Sequence, residues 1–287
     1  MECICCNSNN FETFAEDSWL KIPVKKCKDC ELLVTGNSIE ELESTLKNYY
    51  LTHTENEELD RTIKFDFDTR HGRYLIKQNS SMIEYCKNEL KVGQKLLEIG
   101  PGPGISLRMF EDLGLKVHGI EINVKCVEFI NKKLKKGKCE QGFFDSLELH
   151  EKFNVIWISH TLEHIPRPDI LLKKCKDMLL EDGIIFVGVP NCDNPEILSD
   201  GILYNADAFH YTKSTLKKIG ENSGLECVKI DTLRELYRIE GRFHLTLEKY
   251  FKSLNKSLCP YYPFKLTAKD PDLTPQQKAK QKIDRQG

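Results

Sequence analysis

Lys95-Leu96-Leu97-Glu98-Ile99-Gly100-Pro101-Gly102-Pro103-Gly104, continuing as ISLRMFEDLG to Gly114, carries the first structural signal in the chain. Its first five residues form a short apolar run of strand type. Gly100, Gly102 and Gly104 then alternate with Pro101 and Pro103, which is loop chemistry. Ser106–Leu113 returns its apolar residues at helical spacing, and Gly114 stands where a helix stops. Strand, glycine turn and helix in this order leave side-chain-free backbone beside the unpaired N–H groups of a helix start. A ligand can approach the main chain closely there.

The same alternation extends outward. Val117–Glu121 reads as a second strand, and Asn123 as the N-cap of a helix whose Val127, Ile130 and Leu134 share a face. Val155–Ser159 is a further strand, Asp169–Leu180 a further helix, and Gly183–Val189 the most strand-like run of all. Strands alternating with helices of this length predict βαβ units, hence an α/β fold with a mostly parallel sheet covered on both faces. Glu121 ends the second strand about twenty residues after the glycine turn, where this kind of fold places a carboxylate for ribose hydroxyls. A dinucleotide fingerprint would want a small residue at the sixth position of its glycine motif, and Ile105 stands there instead.

With 287 residues the chain has room for one large domain and a small appended one. We divide it into a cysteine-rich zone (1–36), a polar helix-prone zone (37–92), the alternating zone (93–268) and a polar tail (269–287) that reads as disordered. Within the third zone Tyr262–Thr267 is a candidate last, antiparallel strand. A formal charge of −2 speaks against a nucleic-acid partner held by phosphate neutralisation. Lys132–Lys138, KKLKKGK without interleaved aromatics, reads as a solvated helix end. No apolar run is long enough to span a membrane, and the N-terminus shows no secretory signal, so a cytoplasmic chain with reduced thiols is expected.

Cys3 and Cys6 are spaced C-x2-C, and Cys27 and Cys30 repeat the spacing after 20 intervening residues. Two such turns supply four thiolates to a tetrahedral Zn2+, a closed and therefore structural site. Cys5 is a rival ligand in the first turn. Asn7 and Glu31 follow the second cysteine of each pair where glycine is usual, and Glu takes the left-handed backbone less readily than Asn. The remaining cysteines, Cys86, Cys126 and Cys175 among them, read as core residues.

LEIGPGPG (Leu97–Gly104) resembles the E/D-x-G-x-G-x-G motif of class I methyltransferases that use S-adenosylmethionine. GIEIN (Gly119–Asn123), FNVIWISHTLEHIPRP (Phe153–Pro168), LLEDGIIFVGVPN (Leu179–Asn191) and HYTKSTLKKIGENSGLE (His210–Glu226) are similar to later segments of that family. The resemblance implies a Rossmann-like, seven-stranded fold with S-adenosylmethionine as cofactor. It implies that Glu98, Gly100, Pro101, Gly102 and Gly104 hold the methionine part and that Glu121, with Ile122, holds the ribose. At the adenine turn the family often has Gly-Asp, whereas this chain has Gly142-Phe143-Phe144; the expected adenine contacts are Phe143 and Phe144, by stacking or main chain, with Asp145 shifted into the acidic role as the alternative. The N-terminal cysteines followed by Ile39-Glu40-Glu41-Leu42 and Tyr49-Tyr50 resemble a subfamily with a zinc ribbon and a helical lid. Many of its members act on nucleotide-linked sugars, which implies a small polar acceptor, a sugar or sugar nucleotide, methylated on a hydroxyl or, second, on carbon.

His160, Glu163 and His164 follow the fourth strand at the carboxyl edge of the sheet, and His210 follows the fifth on the same edge. Two chemistries remain open for them. One is a histidine general base, His164 or His210. The other is a divalent metal held by His160, Glu163, His164 and His210, an idea that draws on similarity to the E-x-x-E-H segment of ubiquinone-pathway and small-RNA methyltransferases. Beside both stands a purely structural role, with Glu163 and His164 capping the turn. Rival functions are a nucleic-acid methyltransferase docked through the ribbon and a non-catalytic cofactor-binding scaffold.

Overall fold

In a computed structural model, residues 1–52, 57–143 and 151–231 are described. The central element is a five-stranded parallel sheet in the order β6-β5-β4-β7-β8. Its strands are β4 (Lys95–Ile99), β5 (Lys116–Glu121), β6 (Lys138–Gln141), β7 (Phe153–Ser159) and β8 (Leu179–Gly188). Every pair is parallel, so each connection crosses over through a helix or loop on one face. The helices are α4 (Ile105–Asp112), α5 (Val124–Lys133) and α6 (Pro168–Asp177).

Alternation along the strands divides the core. Leu96 pairs with Val155, and both join Trp157, Leu107, Phe110 and Ile130 on one face. Leu97, Ile99, Ile156 and Ile158 pack on the other against Leu171, Leu172 and Cys175 of α6. Trp157 stacks on Phe186 at 3.7 Å and meets Phe110 edge-on at 4.9 Å. Side chains of this size each contribute about 1.5–3 kcal/mol through burial. Asn123 caps α5 as its sequence position suggests, its side chain accepting from the N–H groups of Lys125 and Cys126. The α6 helix ends at Asp177, and β8 starts at Leu179, earlier than its Gly183 signal. The ladder skips from Leu179 to Ile184 across an irregularity that accommodates Leu180–Gly183.

Seven strands are expected and five are present among the described residues of this sheet. Residues 225–230 carry no strand, and the Tyr262–Thr267 candidate lies outside the described residues, as does the polar tail. The strand β6 has no clear sequence signal: it is short and half polar. Asn131 of α5 secures it, donating to Cys139 O and accepting from Cys139 N–H, both at 2.8 Å. The KKLKKGK segment is only partly a helix end. After α5 stops at Lys133, the N–H groups of Lys135, Lys136 and Gly137 close on the Glu111 carboxylate at 2.7–2.8 Å. Lys133 and Lys135 pair with Asp66 and Asp112.

The second sheet is antiparallel, in the order β1-β2-β3-β9. It comprises β1 (Phe11–Ala15), β2 (Val24–Cys27), β3 (Leu33–Thr35) and β9 (Phe209–His210). The N-terminal zone therefore does not close on itself: Leu33 pairs with His210 and Val34 with Phe209. Three helices follow this zone, α1 (Ile39–Thr52), α2 (Glu57–Lys64) and α3 (Arg70–Tyr85). The Ser38 hydroxyl caps α1 by accepting from Glu41 N–H, the Glu41 carboxylate accepts from Asn37 N–H, and Leu42 and Leu46 bury the inner face of the helix. Ile105, the residue that excluded the dinucleotide motif, packs with Phe67, Ile76 and Phe129 and so anchors α3 to α4 and α5. Asp66 adds a latch through Arg108 and Lys133, each at 2.8 Å. Two further helices, α7 (Pro195–Tyr204) and α8 (Lys213–Asn222), flank β9. No helix among the described residues is long and apolar enough to cross a membrane.

Candidate active site

The carboxyl edge of the parallel sheet gathers four loops. The one after β4 has glycine in left-handed backbone at every second position: φ is 69° at Gly100, 54° at Gly102 and 79° at Gly104. Two of these glycines are also required by contact. A Cβ on Gly100 would lie 2.4 Å from the Thr161 hydroxyl, and one on Gly104 would lie 2.4 Å from Ile130. Gly102 faces open space instead, with nothing within 4 Å of a Cβ. That gap is where a ligand can lie against the chain.

Glu121 reaches this turn. Its Oε2 accepts from Gly102 N–H and its Oε1 from Asn123 N–H, both at 2.8 Å. Burial pushes its carboxyl above the ordinary carboxylate range, against the pull of these backbone donors. Glu98 lies beneath the loop, fully buried. It accepts from the Ser106 hydroxyl and keeps a second carboxylate oxygen without a partner. Burial pushes Glu98 up to about 8, with Ser106 opposing and Glu121 adding. A buried, half-satisfied carboxyl of this kind suits a cationic ligand group, and an S-adenosylmethionine offers one in its ammonium. Glu98, Gly102 and Glu121 therefore meet around this turn, which also carries Gly100, Pro101 and Gly104, and Ile122 follows Glu121 directly. Phe143, after β6, is 40% exposed, while Phe144 lies outside the described residues.

The loop after β7 begins with a strained residue. His160 has φ of 50°, and its N–H donates to Gly188 O at 2.8 Å, which holds the turn shut. Both of its ring nitrogens are engaged: Nδ1 lies 3.5 Å from Glu163 and Nε2 2.8 Å from the side-chain amide of Gln78 on α3. Glu163 is buried. Burial alone would push its pKa up, but His160 and His164 outweigh it and hold the carboxyl below its ordinary range. His164 Nδ1 meets Ala206 O at 3.0 Å and Asp207 Oδ1 at 3.4 Å, and its side chain remains 27% exposed. The Tyr50 ring of α1 stands edge-on to His164 at 6.3 Å.

His210 is placed differently. It is 2% exposed, with Nε2 3.3 Å from the Thr35 hydroxyl and Nδ1 unpartnered. Burial drops it to about 4, so it stays neutral and shut away from the edge. Two expectations change as a result. His210 forms part of the joint between the two sheets rather than a base facing the acceptor. The donors of the divalent-metal reading also do not gather: among the described residues, His160, Glu163, His164 and His210 form no group of three that could hold an ion. His160 turns to Gln78, His164 to Ala206 and Asp207, and His210 to Thr35.

Cys3, Cys6, Cys27 and Cys30 do assemble, their sulfurs all within 4.8 Å. Cys3 and Cys30 are 3.5 Å apart, as are Cys6 and Cys27. The residues after each pair adopt the left-handed turn in spite of their side chains, Asn7 at φ 59° and Glu31 at φ 65°. Cys5, the rival ligand, stands outside this group of four, and its thiol faces Thr215 O at 3.9 Å. Cys86, Cys126 and Cys175 are buried, as core residues should be.

A family model described as a methyltransferase domain matches residues 70–230, more than half of the chain. The chain belongs to the methyltransferase-domain family. Its sheet order and glycine turn are those of an S-adenosylmethionine-dependent methyltransferase fold. The ubiquinone biosynthesis O-methyltransferase of Glaesserella parasuis serovar 5 is 32% identical over 109 residues, covering 34% of this chain and 46% of the relative. That of Haemophilus ducreyi is 29% identical over the same length and the same shares. The chain thus spans about half the length of the curated relatives it matches. Among solved structures, the plantazolicin methyltransferase BpumL, in complex with a desmethyl substrate analogue and S-adenosylhomocysteine, is 17% identical. That match covers 75% of this chain and 77% of the other, with a TM-score of 0.44.

Gln78, Asp207 and Thr35 lie outside the motifs read from sequence and reach this edge only through tertiary packing. Thr161 lies within the Phe153–Pro168 segment, and Tyr50 within α1 belongs to the Tyr49-Tyr50 pair.

Proposed function

We propose that this protein transfers the methyl group of S-adenosylmethionine to a hydroxyl of a small polar acceptor, with His164 as the general base. The observation that carries the reading is the meeting of Glu121 with Gly102 beside open space, on the same sheet edge as His164. When bound, the cofactor supplies an electrophilic methyl on a sulfonium. Glu121 and Ile122 would take the ribose, Glu98 and the glycine turn the methionine part, and Phe143 with Phe144 the adenine. His164 is the histidine on this edge that combines exposure with a free ring nitrogen, which suits it to accept the hydroxyl proton.

Oxygen as the methylated atom is supported by the relatives, which are ubiquinone biosynthesis O-methyltransferases. The sugar or sugar-nucleotide class rests on the N-terminal sequence resemblance alone, so acceptors of ubiquinone biosynthesis, after the relatives' name, stand beside it. Lysines drawn into carboxylate pairs leave little basic surface for a nucleic acid near α5. We also propose Zn2+ at Cys3, Cys6, Cys27 and Cys30. In a tetrahedral thiolate site with bonds of about 2.3 Å, sulfurs stand about 3.8 Å apart. The observed 3.5 Å pairs are close to that separation.

The test has two stages. Calorimetry should detect S-adenosylhomocysteine binding to the zinc-loaded full chain. Labelled methyl transfer is then followed across acceptors of ubiquinone biosynthesis, free sugars, nucleotide sugars and RNA. Absence of cofactor binding removes the reading entirely. Binding without transfer to any acceptor favours the scaffold, and RNA methylation would replace the small-molecule assignment.

A further inference from the structure

We infer that Asp207 is a positioning residue for His164: its carboxylate, together with the Ala206 carbonyl, fixes Nδ1 as the proton-bearing nitrogen and leaves Nε2 as the basic atom. The inference rests on the reading of His164 as base. Its support is geometric. A carbonyl oxygen only accepts, so the 3.0 Å approach of His164 Nδ1 to Ala206 O places the ring proton on Nδ1. Asp207 Oδ1, at 3.4 Å, is a second acceptor on the same side of the ring. The neutral ring then has its lone pair on Nε2 alone. In the reaction the bond formed is acceptor O–CH3 and the bond broken is S–CH3. The hydroxyl proton passes to His164 Nε2, and the buried carboxylate stabilises the resulting imidazolium.

Asp207 is itself held from the N-terminal module. The Thr35 hydroxyl donates to Asp207 O at 2.7 Å, Thr35 N–H to Ala208 O at 2.9 Å, and Ala208 N–H to Glu163 O at 2.7 Å. Across from it, Gly201 of α7 packs so closely that a Cβ there would come within 2.8 Å of Asp207 Oδ2. The groups facing this pair are Glu163 and His160 from the β7 loop and Tyr50 from α1. With its backbone held at Asp207 O and Ala208 and its side chain 3% exposed against Gly201, Asp207 keeps Oδ1 facing His164.

Long-range proton–nitrogen NMR on 15N-histidine-labelled full chain, with S-adenosylhomocysteine present, reads the tautomer directly. The His164 signal is assigned by its loss in His164→Gln. We expect wild type to show Nδ1 protonated and Nε2 bare. Asp207→Ala should lower the Nδ1-protonated share, and Asp207→Asn, whose amide oxygen still accepts, should restore it. Affinity for S-adenosylhomocysteine should stay within twofold in both variants. With any acceptor found, Asp207→Ala should lower kcat at least tenfold while KM for the cofactor holds. A wild-type ring protonated on Nε2, or an unchanged tautomer in Asp207→Ala, overturns the inference. The wild-type spectrum alone decides if the alanine variant does not fold. Full turnover by His164→Gln would instead overturn the base assignment and leave the tautomer result standing.

Discussion

Glu121, at the end of β5, holds the middle glycine of the β4–α4 turn through a 2.8 Å hydrogen bond from Gly102 N–H. Two loops distant in sequence are thereby set at a fixed separation before any ligand arrives. Hydrogen bonds to a charged group contribute about 1.5–3 kcal/mol each. Glu121→Ala should therefore weaken S-adenosylhomocysteine binding by about ten- to hundredfold or more while the far-ultraviolet spectrum stays native. Calorimetry checks it, and undiminished affinity would remove Glu121 from the cofactor site.

The glycines of that turn should separate in their effects. Gly104→Ala forces a methyl into Ile130 at 2.4 Å, at a φ of 79°. We expect a loss of roughly 2 kcal/mol or more, from overpacking and strain together. Gly102→Ala meets no protein atom, so its stability cost should be the smaller strain of about 1–2 kcal/mol. Its methyl instead occupies the groove, and cofactor affinity should fall further than in Gly104→Ala relative to stability. Urea unfolding and calorimetry on both variants give the comparison.

Glu98 makes a prediction about pH. Its pKa rises from an ordinary 4.5 to about 8 in the folded protein. Between those limits the folded state keeps a proton that the unfolded chain has released. Stability of the ligand-free protein should therefore fall as pH rises through this window, by at most about 1.4 kcal/mol per unit from this group, and flatten above it. Glu98→Gln should remove that contribution, so the gap between variant and wild type widens from pH 5 to pH 8. Parallel stability curves would show that Glu98 ionises normally. A cationic ligand group against the free Glu98 oxygen should also expel the proton, which calorimetry in buffers of different ionisation enthalpy detects.

The cysteine module predicts a contrast between neighbours. Cys6→Ser should abolish stoichiometric zinc and lower Tm sharply, because a four-thiolate site loses most of its metal affinity with one ligand. Cys5→Ser should keep the metal, since that thiol faces Thr215 O instead. Elemental analysis and thermal melts on both variants decide between Cys5 and Cys6.

The β4 strand, its glycine turn, Glu121 and the Asn123 cap were all legible in sequence because each is a local device. Spacing, glycine placement and a capping side chain act within a few residues. What escaped was tertiary. His210 looked like a base because it follows the fifth strand on the ligand edge, yet its pairing with Leu33 buries it. Nothing in residues 206–211 announces a partner 170 residues earlier. Asp207 and Thr35 were missed for the same reason. The lysine run escaped in part because its backbone, rather than its side chains, makes the important contacts with Glu111. Glu31 shows the opposite lesson: the two-cysteine turn imposes a left-handed φ of 65° on a residue that disfavours it.

The two-residue strand Phe209–His210 has a practical meaning for anyone who cuts or recombines this chain. It closes a sheet whose other members come from the first 35 residues, so removing them would strip one edge of the catalytic half and expose Val34's and Leu33's partners to water. The family-matched segment is therefore a unit of ancestry rather than of folding. A chimera that exchanges the N-terminal module with a relative's should carry residues 206–211 along with it, and a minimal fragment beginning at residue 70 should come out of cells as aggregate.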